Sequence, residues 1–138
     1  MTRHTKSETI SREEFYVDVT ILLHYSSLQE ISEMFDCGVT TARRWLKGIS
    51  CPSNAVRRLV KRERSFYQFQ YALAFIKTRL ACSDAFLAVH FTVSVPTMRR
   101  WLKGDSRPHH SMLPGLFEKQ NSLILEMIRI EDEEDSND

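Results

Sequence analysis

Thr41-Ala-Arg-Arg-Trp-Leu-Lys-Gly48 and Thr97-Met-Arg-Arg-Trp-Leu-Lys-Gly104 are one stretch written twice, 56 positions apart (Thr41 to Thr97), with a single substitution in eight residues. The correspondence extends outward through Ser27 and Ser83, Phe35 and Phe91, Val39 and Val95, Ser50 and Ser106, and Pro52 and Pro108. A block of this length that contains Trp does not recur by chance, and an internal repeat constrains the architecture before any single element is assigned.

Upstream of each block lies a short amphipathic segment, S-L-Q-E-I-S-E-M-F-D from Ser27 and S-D-A-F-L-A-V-H-F-T from Ser83. Leu28, Ile31 and Phe35 recur at helical spacing, as do Leu87 and Phe91 with Ala88 beside them. Each segment follows a Ser suited to capping it, and Glu30 stands where a capping box requires an acid. Both segments are therefore expected as short helices. Asp36-Cys37-Gly38 and Thr92-Val93-Ser94 then form tight connections, with Cys37 and Val93 as apolar plugs. Gly38 is expected to supply unusual backbone angles, and Ser94 to cap the next helix. Pro96 falls in a first helical turn, where its missing N–H is no loss. The second helices should start near Val39 and Val95 and end at Gly48 and Gly104, with Pro52 and Pro108 opening the next segment in each copy.

A short helix, a three-residue turn and a second helix reading x-x-T-x-R-R-W resembles the helix-turn-helix of phage and bacterial regulators, often written G-V-S-x-x-T-V-R-R-W. The second copy follows that pattern with Ala88 at the small position of its first helix and then T-V-S-V-P-T-M-R-R-W. The first copy departs from it at Ser32, Asp36 and Gly38. The resemblance covers roughly residues 27–52 and 83–108, and R-R-W-x-x-G followed by Pro looks most like small phage and prophage proteins. It implies DNA binding, not a particular regulatory outcome.

Elsewhere, Ser11-Arg-Glu-Glu14 reads as another capping box, opening a helix to about Tyr25 with Phe15, Val19, Leu22 and Leu23 on its apolar side. Its partner in the second copy is the aromatic-rich stretch Tyr67 to Leu80. Ser53 to about Arg64 reads as a separate basic helix, and the segment from Pro114 to Ile130 as a last amphipathic one. The expectation is an all-α chain of about eight helices in two groups of four. It divides into a flexible N-terminus (1–10), a first helix-turn-helix unit (11–64), a second (65–130) and a disordered acidic tail (131–138). The aromatics Phe66, Tyr67, Phe69, Tyr71 and Phe75 are expected in an interdomain or dimer core.

The net charge of +1 hides an uneven distribution: residues 131–138 hold six of the 18 acids and no base, which leaves +7 on residues 1–130. A basic body attracts a polyanion through its local field. Three widely spaced cysteines without a C-x-x-C pair suit a reducing compartment. The adjacent His109 and His110 lack the spacing of a zinc site, so no metal or cofactor is expected. No apolar run reaches the 18 residues or so of a membrane span and no signal-peptide core opens the chain, so a soluble intracellular protein is expected. The resemblance to phage and prophage proteins implies the cytoplasm of a bacterial host and association with the nucleoid. No P-loop, H-E-x-x-H or nucleophile motif is present, and a non-enzymatic protein is expected.

Residues 39–47 and 95–103 carry the expected chemistry. Val39, Thr40, Arg43 and Lys47, and likewise Val95, Pro96, Arg99 and Lys103, fall on or near one helical face, while Ala42, Trp45, Met98 and Trp101 fall opposite. Arg43 and Arg99 are candidates for bidentate contacts to guanine, assisted by Thr40, Thr41 and Thr97 at the helix starts. Arg44, Arg100 and the two lysines suit phosphates, and the helix of Arg57 and Arg58 either lies along the same backbone or connects the halves as a solvated strut. The leading expectation is a sequence-specific regulator of double-stranded DNA, with repression preferred to activation and a homodimer compatible with the sequence. The alternatives are a DNA-packaging or assembly subunit, or an antitoxin-like protein whose acidic tail contacts a protein partner. RNA is disfavoured because A-form helices hide their major groove.

Overall fold

The computed structural model describes residues 8–136. Ser11 has an extended backbone and its hydroxyl accepts from the Glu14 amide, which starts α1 (Arg12–Tyr25). Ser27 starts α2 (Leu28–Met34) in the same way, and the Ser27 amide donates back to Glu30, completing the capping box and holding the Glu30 carboxyl below its usual pKa. There follow α3 (Val39–Leu46), α4 (Asn54–Leu80), α5 (Asp84–Phe91) capped by Ser83, and α6 (Val95–Lys103) capped by Ser94 with Pro96 in its first turn. A 3-10 turn at His110–Met112 leads into α7 (Leu113–Ser136). The described residues contain no strand, so the chain is all-α.

The ends of α2 to α6 obey one rule. Asp36, Gly48, Ala81, Thr92 and Gly104 all have positive φ and all stand just past a helix. The amide after each one donates to a carbonyl five residues back, as Cys37 does to Ser32, Ile49 to Arg44, Val93 to Ala88 and Asp105 to Arg100. A left-handed residue turns the chain so that otherwise orphaned carbonyls find a donor. This corrects the expectation for Gly38, whose φ of −75° is ordinary. The turn is made two residues earlier, at Asp36 and Thr92, because closure of the α2 and α5 termini demands it there.

The chain separates into two units with the boundary between Tyr67 and Gln68, inside α4. The first buries Ile10, Phe15, Val19 and Leu22, Ile31, Ala42 and Trp45, and Val60 as one cluster. The Trp45 ring meets Phe15 edge to face at 5.6 Å. Asp18 is 2% exposed on the inner face of α1, where Arg64 reaches Oδ1 from Nε and Nη2, each at 3.0 Å. Leu23, expected inside, is exposed, because Asp18 lies nearer the centre of the Phe15, Val19, Leu22 arc. The second unit buries Phe69, Leu73 and Ile76 of α4 with Leu87, Ala88 and Phe91, Met98 and Trp101, and Leu116, Leu123 and Met127. Phe69 is its hub, edge-on to Trp101 at 5.8 Å and to Phe91 and Phe117. The buried Gln120 amide donates to the Phe69 carbonyl at 2.8 Å.

Positions that match at 56 residues elsewhere match at 54 here: Phe15, Val19 and Leu22 have the roles of Phe69, Leu73 and Ile76. The offset grows by two because α4 runs one residue past the equivalent of Tyr25, to Leu80, and three residues rather than two then precede the next helix.

Four expectations are corrected. The basic and aromatic segments are not two helices: α4 runs through both, since no Gly or Pro interrupts residues 54–80 and a change of composition does not break a helix. Residues 8–10 are not loose: Ile10 is fully buried, its amide donates to Asn54 Oδ1 at 2.8 Å, and Glu8 pairs with Lys61. The rest of the expected flexible N-terminus, residues 1–7, lies outside the described residues. The last helix does not stop at Ile130, and residues 131–136 of the expected disordered tail continue α7, held by pairs of Arg129 with Glu126 and Glu133 and of Arg79 with Glu131. Residues 137–138 of that tail are not described. Of the aromatics expected in a shared core, Phe66 and Phe69 are buried, but Tyr71 and Phe75 are exposed.

Candidate nucleic-acid interface

α3 and α6 divide inside from outside in the same register. Ala42 and Trp45 of α3 are buried, and Met98 and Trp101 of α6 likewise. Thr40, Thr41, Arg43, Arg44 and Lys47 are exposed in the first unit, and Pro96, Arg99, Arg100 and Lys103 in the second. Val39, Val95 and Thr97 are half-buried. Each buried indole seats its helix on α1 or α4 and leaves the cations on the side away from the core.

The helix starts differ between units. Ser94 accepts from the Thr97 amide at 3.2 Å, and the two hydroxyls are 2.7 Å apart, so Thr97 is engaged in the cap. Gly38 has no side chain to offer, and α3 lacks a side-chain cap bond. Thr41 is therefore not tied down as Thr97 is. Its hydroxyl stays exposed at the N-terminal turn, where a helix presents its unpaired amides.

The charges differ as well. Arg43, Arg44, Lys47, Arg100 and Lys103 have no ion-pair partner among the described residues. Arg99 does: its Nε donates to Asp84 Oδ2 at 3.3 Å, while Lys77 Nζ donates to Oδ1 of the same carboxylate at 2.5 Å. The Lys77 bond, reinforced by that from Arg99, holds the Asp84 carboxyl below its usual pKa. Asp84 was not singled out in the sequence. Its only local signal is an acid in the first turn of α5 where α2 has Leu28.

Arg57 and Arg58 are placed differently from the α3 cations. Arg57 Nη1 donates to the Pro52 carbonyl at 2.7 Å and touches Cys51 Sγ at 3.4 Å, tying down the segment that enters α4. Both arginines are half-buried, with Nε atoms shielded from solvent and without a partner among the described residues. Arg57 is thereby bonded to its own chain, whereas no hydrogen bond or ion pair joins the Arg58 side chain to the fold among the described residues.

Among the described residues, no three His, Cys, Asp or Glu side chains gather as metal ligands would, and no helix is long and apolar enough to cross a membrane. Burial raises the pKa of the Cys37 and Cys82 thiols, which keeps them protonated at neutral pH and poor as nucleophiles. No family model matches the chain, and neither does any curated protein or solved structure.

Proposed function

We propose that the chain is a sequence-specific regulator of double-stranded DNA, in which α2 with α3 and α5 with α6 act as two helix-turn-helix units. The observation that carries this reading is the shared register of α3 and α6: each turns a buried Trp to its own core and exposes an Arg-Arg pair and a Lys. A solvated face would need to repeat only its apolar positions, whereas here the cations repeat too. In this reading α3 and α6 enter the major groove. Arg43 and Arg99 read guanine, while Arg44, Arg100, Lys47 and Lys103 hold phosphates. Linking the units makes the second contact intramolecular, which offsets the few contacts that each short helix can make. Repression is the simpler outcome, since blocking a promoter needs only occupancy. The acidic end of α7 would repel other DNA and leave the cationic helices as the preferred face.

Selection of bound sequences from a random duplex pool tests the proposal. A defined motif should emerge, and Arg43→Ala should cost roughly 1–3 kcal/mol on it while relaxing preference at one position. A uniform loss on all sequences would reassign Arg43 to phosphate. Enrichment of nothing, together with a large ring or a stable complex with another protein, would favour an assembly role instead.

A further inference from the structure

The two units share Arg43 and Arg99 at one helical position, yet only the second surrounds its arginine with a fixed acid. Asp84 opens α5 with both carboxylate oxygens occupied, Oδ1 by Lys77 and Oδ2 by Arg99 Nε, and its side chain is 22% exposed. Arg99 is 60% exposed, and beyond the Nε bond its guanidinium has no partner among the described residues. In the first unit the position of Asp84 is Leu28, and that of Lys77 is Ile21 at the 56-residue offset or Leu23 at the 54-residue one. Neither acid nor lysine is available to Arg43.

A guanidinium has five donors in one plane. When a carboxylate takes the Nε–H, the plane is oriented and the Nη1–Nη2 edge stays available, and that edge suffices for O6 and N7 of guanine. Lys77 keeps Asp84 from turning away. The carboxylate is also repelled by DNA phosphates, so the arrangement favours reading a base over simple attraction to the backbone.

Resting on the DNA-binding reading above, we infer that Asp84 is a positioning residue that pre-orients Arg99 for base readout, so that the second unit discriminates its base more sharply than the first, where Arg43 is unrestrained. Holding the side chain before contact removes part of the ordering cost that an unrestrained arginine incurs on binding.

The test is selection from a random duplex pool, run on wild-type protein, Arg99→Ala, Arg43→Ala and Asp84→Asn, followed by titrations on the selected site and on unrelated duplex. Arg99→Ala should abolish preference at one base pair. Asp84→Asn should weaken preference at that same base pair by about tenfold, with binding to unrelated duplex unchanged or tighter. Preference at the position lost in Arg43→Ala should stay as in wild type. An Asp84→Asn protein whose preference at the Arg99 position is unchanged or sharper would overturn the positioning role and leave the DNA-binding reading standing. A wild-type protein that enriches no sequence would overturn both. A second measurement needs neither DNA nor a variant: in 15N-labelled protein the Arg99 Nε–H should exchange with solvent more slowly than that of Arg43. Equal exchange would overturn the inference.

Discussion

Raising salt from about 50 to about 200 mM should separate binding by two units from binding by one. Each phosphate neutralised by a Lys or Arg releases condensed counterions, so log K falls against log salt with a slope of about −0.9 per contact. The exposed cations assigned to phosphates are Arg44 and Lys47 in one unit and Arg100 and Lys103 in the other, and none is held by an internal acid among the described residues. With all four engaged, the slope is about −3.6 and a fourfold rise in salt costs roughly 150-fold in affinity. With one unit engaged, the slope is about −1.8 and the loss only roughly 12-fold. Fluorescence anisotropy on the selected duplex at several salt concentrations measures this directly. Arg44→Ala and Arg100→Ala should each make the slope shallower by about 0.9. A slope shallower than about −1, or one that neither variant moves, would refute the assignment of these cations to phosphate contacts.

Three further outcomes concern the fold that holds these helices. Burial already raises the pKa of Asp18, with Arg64 opposing it, so Arg64→Ala should raise it further. A carboxyl whose folded pKa exceeds its unfolded value stabilises the fold below the unfolded value, and that stability is lost as pH rises through the folded one. The deficit of Arg64→Ala should therefore be largest at pH 7, at about 3 kcal/mol, and shrink toward pH 4; urea midpoints that differ from wild type equally at both would contradict it. Gly104→Ala should cost about 1–2 kcal/mol, because φ is +76° and the new Cβ would lie 2.6 Å from the movable end of Gln70; Gly48→Ala, with its nearest neighbour at 4.0 Å, should cost less in thermal melts. Trp45→Ala and Trp101→Ala should each cost about 3–5 kcal/mol by circular dichroism and should also weaken DNA binding, since each removes the anchor that seats a cationic helix; an unchanged melt would show that the indole is not a core element.

The repeat made α2, α3, α5 and α6 legible almost to the residue, because what bounds them is local. Ser27, Ser83 and Ser94 cap within three residues of themselves, and Gly48 and Gly104 close helices through bonds spanning five. The burial of Trp45 and Trp101, and the exposure of the arginines beside them, follow from helical register alone. Composition misled where it was taken as a boundary, splitting α4 and loosening residues 131–136, since backbone hydrogen bonding does not depend on whether the side chains are basic, aromatic or acidic. What only the tertiary structure decided is which polar groups are engaged. Ile10 is anchored by Asn54 across 44 residues, Asp18 turns inward to meet Arg64 across 46, and Arg99 is held by Asp84 across 15. Arg43 and Arg99 look alike in the sequence because the eight-residue blocks around them differ only at Ala42 and Met98. They differ in the fold because a charge is governed by what stands a few ångströms away in space, and that depends on how α4, α5 and α6 pack.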